Sequence, residues 1–207
     1  MFAEWTAECG AEDPVIVVPW ADPSGHAHFV NLRAEPFDLA EIPEAEAYPA
    51  LRRALRSLNG QRSGFLTSKC DAWALSPEEG GEKLETLRLE LDLADEEAGF
   101  GFASYIDVLW RERAVFASAH VASDRLDRLV RRAARLGHAE TALEAVLRPA
   151  VVDLNTPLEG FGATVYVTAL AADPETSIRR WEAALEAVVH LLREREQAIP
   201  TGSATID

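Results

Sequence analysis

Alternation of apolar and polar residues predicts β-strands in the first half of the chain. Residues 14–20 form a short β-branched run between prolines, and residues 26–32 follow a Pro-Ser-Gly turn, so the two segments predict a hairpin. Residues 64–75 and 100–110 are further strand candidates. Between residues 87 and 93 leucine alternates with charged residues, which is the pattern of a strand with one buried and one solvated face.

Apolar residues three and four positions apart predict helices elsewhere. Residues 48–58 carry leucines at this spacing. Ser123 is a suitable N-cap for a further helix, which Gly137 separates from a second helix near residues 139–147.

The last third of the chain predicts a loop, a strand and a long helix. Residues 149–162 contain prolines and glycines and indicate the loop, and residues 163–170 indicate the strand. Asp173 and Pro174 are typical of a helix start. The helix that follows carries an apolar stripe of Ile178, Trp181, Leu185, Val188 and Leu192.

Together these elements indicate a single α+β domain over residues 1–207. We expect a predominantly antiparallel sheet of about five or six strands, covered on one side by helices, with the long C-terminal helix packed on it. No internal repeat or linker is evident. The polar termini, residues 1–13 and 200–207, are expected to be loosely ordered.

The net charge of the chain limits the classes of partner that it is expected to bind. The 207 residues carry a formal net charge of -15, which disfavours binding to nucleic acid or to anionic membranes. The same charge suits a basic partner, a metal ion or a cationic ligand. No run of apolar residues is long enough to span a bilayer, and the first ten residues lack the pattern of a signal peptide. With only two cysteines, we expect a reducing compartment and a cytoplasmic protein.

Cys70 is one candidate catalytic residue. It lies in the densest cluster of reactive side chains, residues 67–73, where Lys69 could lower the pKa of the thiol, and any of the five histidines could act as the base. On a strand, however, Lys69 and Cys70 face opposite sides, and a nucleophilic thiol needs a nearby group that lowers its pKa. A cysteine buried for packing is therefore the preferred interpretation.

His26 and His28 are weak candidates for a metal site, because alternate residues of a strand point the same way. Zinc needs at least three protein ligands, and the local sequence supplies two. The sequence contains no glycine-rich phosphate loop, His-Glu-x-x-His motif or Gly-x-Ser-x-Gly motif. We therefore expect no cofactor and no metal.

A stripe of arginines is the candidate binding surface. These residues fall three and four positions apart in a predicted helix, and such a stripe either binds carboxylates or phosphates or is an ordinary solvated face. Residues 122–148 carry 6 basic against 4 acidic side chains, in contrast to the acidic remainder. The stripe consists of Arg125, Arg128, Arg132 and Arg135.

Two functions stay open at this point. The preferred one is a non-enzymatic acidic binding or regulatory module that recognises a protein partner or self-associates. The alternative is a small hydrolase that uses Cys70 as nucleophile or a metal held by His26 and His28.

Overall fold

The computed structural model describes residues 1–22, 24–34, 38–75, 77–94 and 98–194, with the backbone alone for residues 77–83. Its centre is a six-stranded sheet with the strand order β1–β5–β6–β4–β3, in which β2 pairs with the far end of β5. The β5–β6, β6–β4 and β4–β3 pairs are antiparallel, whereas β1 and β2 run parallel to β5. The strands are β1 (Phe2–Ala7), β2 (Ile16–Val18), β3 (Phe65–Leu75), β4 (Phe100–Trp110), β5 (Thr141–Val152) and β6 (Leu158–Ala171).

Six α-helices and one short 3-10 turn (Asp38–Glu41) surround this sheet in the described part of the chain. The predicted single α+β domain with a mostly antiparallel sheet is confirmed. No described helix is long and apolar enough to cross a membrane. The helices are α1 (Pro43–Ala47), α2 (Pro49–Asn59), α3 (Pro77–Glu90), α4 (Arg113–Phe116), α5 (Ala119–Ala133) and α6 (Pro174–Arg193).

The first face of the sheet carries the main core, under α2, α5 and α6. Helix α6 begins as predicted, because the Asp173 carboxylate accepts the Thr176 backbone N–H at 2.9 Å. Trp181 of α6 is fully buried, and its indole N–H donates to the Ser104 hydroxyl of β4 at 2.8 Å. Truncating so large a buried side chain typically costs about 3–5 kcal/mol. The predicted apolar stripe of α6 packs against this core.

The second face of the sheet is covered at one end by α3. The strand predicted at residues 87–93 is wrong, since helix α3 extends to Glu90. Leu84, Leu87 and Leu91 are three and four positions apart, so they also fit one face of a helix, and they pack against the sheet. Leu89 is 70% exposed, as the helical phase requires.

The second face is covered at its other end by β2. The Ser68 hydroxyl of β3 donates to the Val17 carbonyl oxygen at 2.8 Å, although β2 and β3 belong to opposite edges of the sheet. The sheet therefore curls here around a second apolar cluster. That cluster contains Ile16, Val18, Leu66, Leu109, Phe116, Ala150 and Val152.

The predicted hairpin over residues 14–32 does not form. Strand β2 pairs with β5 instead, and residues 26–32 contribute only an isolated bridge between Ala21 and His28. The cause is Asp22, whose carboxylate accepts the backbone N–H groups of Ser24, His26 and Ala27. These donors are therefore used in a turn and not in a strand ladder.

The helix predicted near residues 139–147 is also wrong, because Thr141–Val152 is strand β5. This strand lies inside the sheet and is buried on both faces, so its sequence is a nearly continuous apolar run. The region predicted as a loop over 149–162 belongs largely to the β5–β6 hairpin. Helix α5 starts at Ala119 with Ser118 as its cap, four residues before the predicted start near Ser123.

The N-terminal segment, which was predicted to be loosely ordered, is part of the sheet. Residues Phe2–Ala7 form strand β1, paired with β5 along its whole length. The N-terminal ammonium group also donates to the Leu136 carbonyl oxygen at 3.1 Å. Residues 200–207 lie outside the described residues.

Candidate binding face

Between α3 and β2, the second face of the sheet carries a row of polar and aromatic side chains. We call this row the polar sheet face. Its members are paired in register across five strands, so that each lies beside the next. They are half-buried or exposed, in contrast to the apolar ends of the same face. The members are Asp71 of β3, Tyr105 of β4, Tyr166 of β6, Glu144 of β5 and Glu4 of β1.

Aromatic rings occupy the middle of the polar sheet face. The rings of Tyr105 and Tyr166 lie 5.8 Å apart between centroids. Trp73 extends the row from β3, with its ring 6.2 Å from that of Tyr105. Near the β2 end, the Lys69 ammonium group lies 5.3 Å from the centroid of the Trp20 ring. Cations are attracted to the face of an aromatic ring, so these rings are suited to contacts with positively charged side chains.

A buried hydrogen-bond chain supports the polar sheet face. Asp107 of β4 is only 7% exposed, and its carboxylate accepts the Thr164 hydroxyl at 2.6 Å. Thr164 in turn accepts Arg148 Nη1 at 3.0 Å. The Nε and Nη2 groups of Arg148 both donate to the Glu8 carboxylate, at 3.1 and 2.8 Å. This chain ties β4, β6 and β5 to the residue after β1, and it holds the side chains next to the polar sheet face in one arrangement.

The electrostatics of this face are dominated by negative charge. Burial raises the pKa of Asp107, against the opposing effects of Thr164 and Arg148. The pKa of Glu4 is also raised, by burial and then by repulsion from Glu90 and Glu144. Burial and the nearby carboxylates likewise raise the pKa of Tyr105, which keeps its hydroxyl protonated. Carboxylates that repel one another in this way are stabilised by an approaching cation.

No protein-family model, curated protein or solved structure significantly matches this chain. The function is therefore inferred from the chain's own residues and their geometry.

Cys70 lies on the first face of the sheet, opposite Asp107, and packs against the main core. Burial raises the pKa of its thiol to about 12, and the carboxylates of Glu44, Asp71 and Asp107 act in the same direction. A nucleophilic cysteine needs the opposite, a lowered pKa. The local electrostatics thus keep the Cys70 thiol protonated.

His26 and His28 lie in the exposed turn after β2, where they contact different partners. His26 Nδ1 lies 2.9 Å from the Ser24 hydroxyl, and His28 Nε2 lies 3.2 Å from the Glu41 carboxylate. Within the described residues, no three His, Cys, Asp or Glu side chains are placed to hold a metal ion.

Three arginines of the stripe lie on α5, and Arg135 follows the end of that helix. Helix α5 packs against the first face of the sheet, opposite the polar sheet face. Arg125 Nη2 lies 3.2 Å from the Glu112 carboxylate, and Arg132 pairs with Glu194 beyond the end of α6. Arg128 and Arg135 are exposed. Arg125 and Arg132 therefore attach the stripe to its neighbours, while a partner for the stripe as a whole stays a prediction.

The sequence reasoning missed the polar sheet face. Its members are spread from Glu4 to Tyr166, so only the strand register brings them together. A signal was present in β5, where Glu144 and Arg148 interrupt an apolar run. Residues four positions apart lie on one face of a helix and also on one face of a strand. The spacing of Glu144 and Arg148 was therefore compatible with the helix that was wrongly predicted there.

Proposed function

We propose that this chain is a non-enzymatic binding or regulatory module of the cytoplasm, whose polar sheet face recognises a basic segment of a protein partner. The observation that carries the proposal is the in-register row of carboxylates and tyrosines on one face of the sheet. Carboxylates at both ends of the row suit arginine or lysine side chains, and the rings between them suit cation–π contacts.

Two features support this proposal. The net charge of -15 attracts a basic partner over a distance and speeds the encounter. The partly buried hydrogen-bond chain from Asp107 to Glu8 fixes the neighbouring surface before binding, which lowers the entropic cost of association.

The alternative hydrolase has less support. Its nucleophile would be a thiol that burial, and secondarily nearby carboxylates, keep protonated, and its metal ligands contact separate partners. No observation in the described residues favours it over the binding module.

Binding of a fluorescein-labelled nona-arginine peptide, followed by fluorescence anisotropy, tests the proposal. The variant Glu4→Gln with Glu144→Gln removes two charges from the polar sheet face. If each exposed ion pair contributes about 0.2–1 kcal/mol, the dissociation constant rises by roughly twofold to thirtyfold. A nona-glutamate peptide should not bind.

The matched control is Glu12→Gln with Glu159→Gln, which removes the same charge from two exposed residues elsewhere. We expect this pair to change the affinity by less than about twofold. If both double variants weaken binding equally, the peptide responds only to net charge, and the polar sheet face is not the recognition surface.

A further inference from the structure

Strand β1 forms one edge of the sheet, at the end of the polar sheet face. It pairs with β5 on its inner side, and β2 pairs with β5 further along, so the outer side of β1 belongs to no ladder in the described part of the chain. The residues of β1 are half-buried or exposed. An open edge of this kind presents unpaired backbone groups, to which a further strand can add.

The register of β1 determines which of its backbone groups are unpaired. The Glu8 backbone N–H donates to the Leu147 carbonyl oxygen at 2.9 Å, so the even-numbered residues of this segment direct their backbone groups toward β5. Successive residues alternate, and the odd-numbered residues therefore direct their N–H and C=O groups away from the sheet. These residues are Ala3, Trp5 and Ala7, and none of their backbone groups bonds to another described residue on that side.

The open part of this edge is closed at its start. The N-terminal ammonium group donates to the Leu136 carbonyl oxygen, so the segment after α5 lies against the edge at Met1. Residues 3–7 follow this contact. At roughly 3.3 Å per residue they provide an edge of about 13 Å, along which a segment of about five residues can pair.

The side chain of Glu4 determines which kind of strand fits this edge. Glu4 is exposed and lies directly opposite Glu144 of β5, and like charges in that position destabilise a strand pair. A lysine or arginine on an added strand would lie beside Glu4 on its other side and offset this repulsion. A second copy of β1 would add a further glutamate instead, so the edge disfavours pairing between two copies of the chain.

We propose that the basic segment of the partner binds as an added strand along residues 3–7, with lysine or arginine at alternate positions on the side of Glu4. This inference rests on the proposed function, and it specifies the conformation and the residue spacing of the segment that is recognised. Alternate side chains of the added strand lie on the polar sheet face. The positions between them lie on the side of Trp5 and α5, where the arginines of α5 disfavour further basic residues.

N-methylated peptides test whether the segment binds as a strand. The probe is a fluorescein-labelled octapeptide in which lysine and threonine alternate, which we call the alternating peptide. One derivative carries N-methyl groups on its four lysines and another on its four threonines, so charge and methyl content are equal. Because every second N–H of an added strand faces β1, one derivative should bind at least about tenfold more weakly than the alternating peptide in fluorescence anisotropy, and the other within about threefold. Equal affinities of the two derivatives would overturn the inference.

Hydrogen exchange tests where the strand adds. At saturating alternating peptide, the amides of Ala3, Trp5 and Ala7 should exchange at least about tenfold more slowly, whereas those of Glu4 and Thr6 are already protected by β5. Binding of the peptide without this slowing would overturn the inference and leave the proposed function standing, as would binding of nona-arginine without binding of the alternating peptide. If neither peptide binds, the proposed function fails and this inference fails with it.

A proline substitution tests the edge from the side of the protein. Ala7→Pro removes one outward N–H, while the bonds of the neighbouring residues to β5 remain, and proline is tolerated at such edge positions. The matched control, Ala7→Ser, keeps the N–H. We expect Ala7→Pro to weaken binding of the alternating peptide by roughly twofold to tenfold and Ala7→Ser to leave it unchanged. Equal affinities of the two folded variants would contradict the inference.

Discussion

Removing the Thr164 hydroxyl tests the buried chain that supports the polar sheet face. In Thr164→Val, the buried Asp107 carboxylate loses the donor that lies at 2.6 Å, and Arg148 loses an acceptor. Valine keeps nearly the same volume, so the change is chiefly the loss of hydrogen bonds to charged groups. Such bonds contribute about 1.5–3 kcal/mol, so we expect the free energy of unfolding to fall by about that amount near neutral pH.

The loss should depend on pH with a definite sign. The Thr164 hydroxyl lowers the pKa of Asp107, so its removal raises further a pKa that burial has already raised. A raised carboxyl pKa in the folded state means that stability falls as pH rises from the unfolded value of about 3.9 through the folded pKa. The penalty of Thr164→Val is thus fully present above the raised folded pKa of Asp107 and shrinks as acid protonates this carboxylate.

Thr168→Val is the matched control, because Thr168 is buried on the same strand and the same face. Urea denaturation followed by tryptophan fluorescence, at several values of pH from neutrality down toward the unfolded pKa of about 3.9, measures both variants. We expect Thr168→Val to change the free energy of unfolding by less than about 0.5 kcal/mol at each pH. Equal effects of the two variants, or a Thr164→Val penalty that does not change with pH, would refute this account of the Asp107 network.

Three further predictions test the packing. In Gly160→Ala the new Cβ would overlap the Phe116 carbonyl oxygen, so thermal unfolding should show a decrease in stability of at least about 2 kcal/mol. Gly64 faces open space, so the control Gly64→Ala should be nearly neutral, and equal melting temperatures of the two variants would contradict this prediction. In urea denaturation, Leu84→Ala should lower the free energy of unfolding by about 2–3 kcal/mol, because Leu84 is buried. Leu89→Ala should lower it by less than about 0.5 kcal/mol, because Leu89 is exposed, and the reverse order would argue against helix α3. Iodoacetamide near pH 8 should modify Cys70 only after denaturant is added, as measured by mass spectrometry, since burial raises the pKa of that thiol to about 12.

Local signals in the sequence were sufficient for some elements of the fold. Helix α6 was predicted from its capping aspartate and its apolar stripe, and strand β4 from its dense apolar run. These elements agree with their local propensities, so tertiary contacts reinforce the prediction.

Other elements were misread because two periods fit the same residues. Leucines at positions 84, 87 and 91 match a helix, while those at 87, 89, 91 and 93 match a strand, and only the position of the sheet decides between them. Strand β5 was taken for a helix because both of its faces are buried. Parallel pairing of β1 with β5 joins residues more than 130 positions apart, which no local pattern predicts.

The candidate binding face depends on those same long-range pairings. Tyr105 and Tyr166 are adjacent only because β4 and β6 pair with that register. A shift of either strand by one residue would turn the ring of that strand to the opposite face of the sheet and separate the two tyrosines. The charge of the chain was visible in the sequence, but its concentration beside the tyrosines was not.

The central claim, that the polar sheet face receives a basic partner segment, is tested most directly by photo-crosslinking in cells of the native host. A photoreactive phenylalanine analogue replaces Tyr166 in one protein and Arg128 of the arginine stripe in another. We expect a discrete crosslinked species from position 166, attached to a peptide rich in arginine and lysine, and lost when Glu4→Gln and Glu144→Gln are added. Crosslinking at position 128 with none at 166, or attachment of position 166 to an acidic peptide, would contradict the claim.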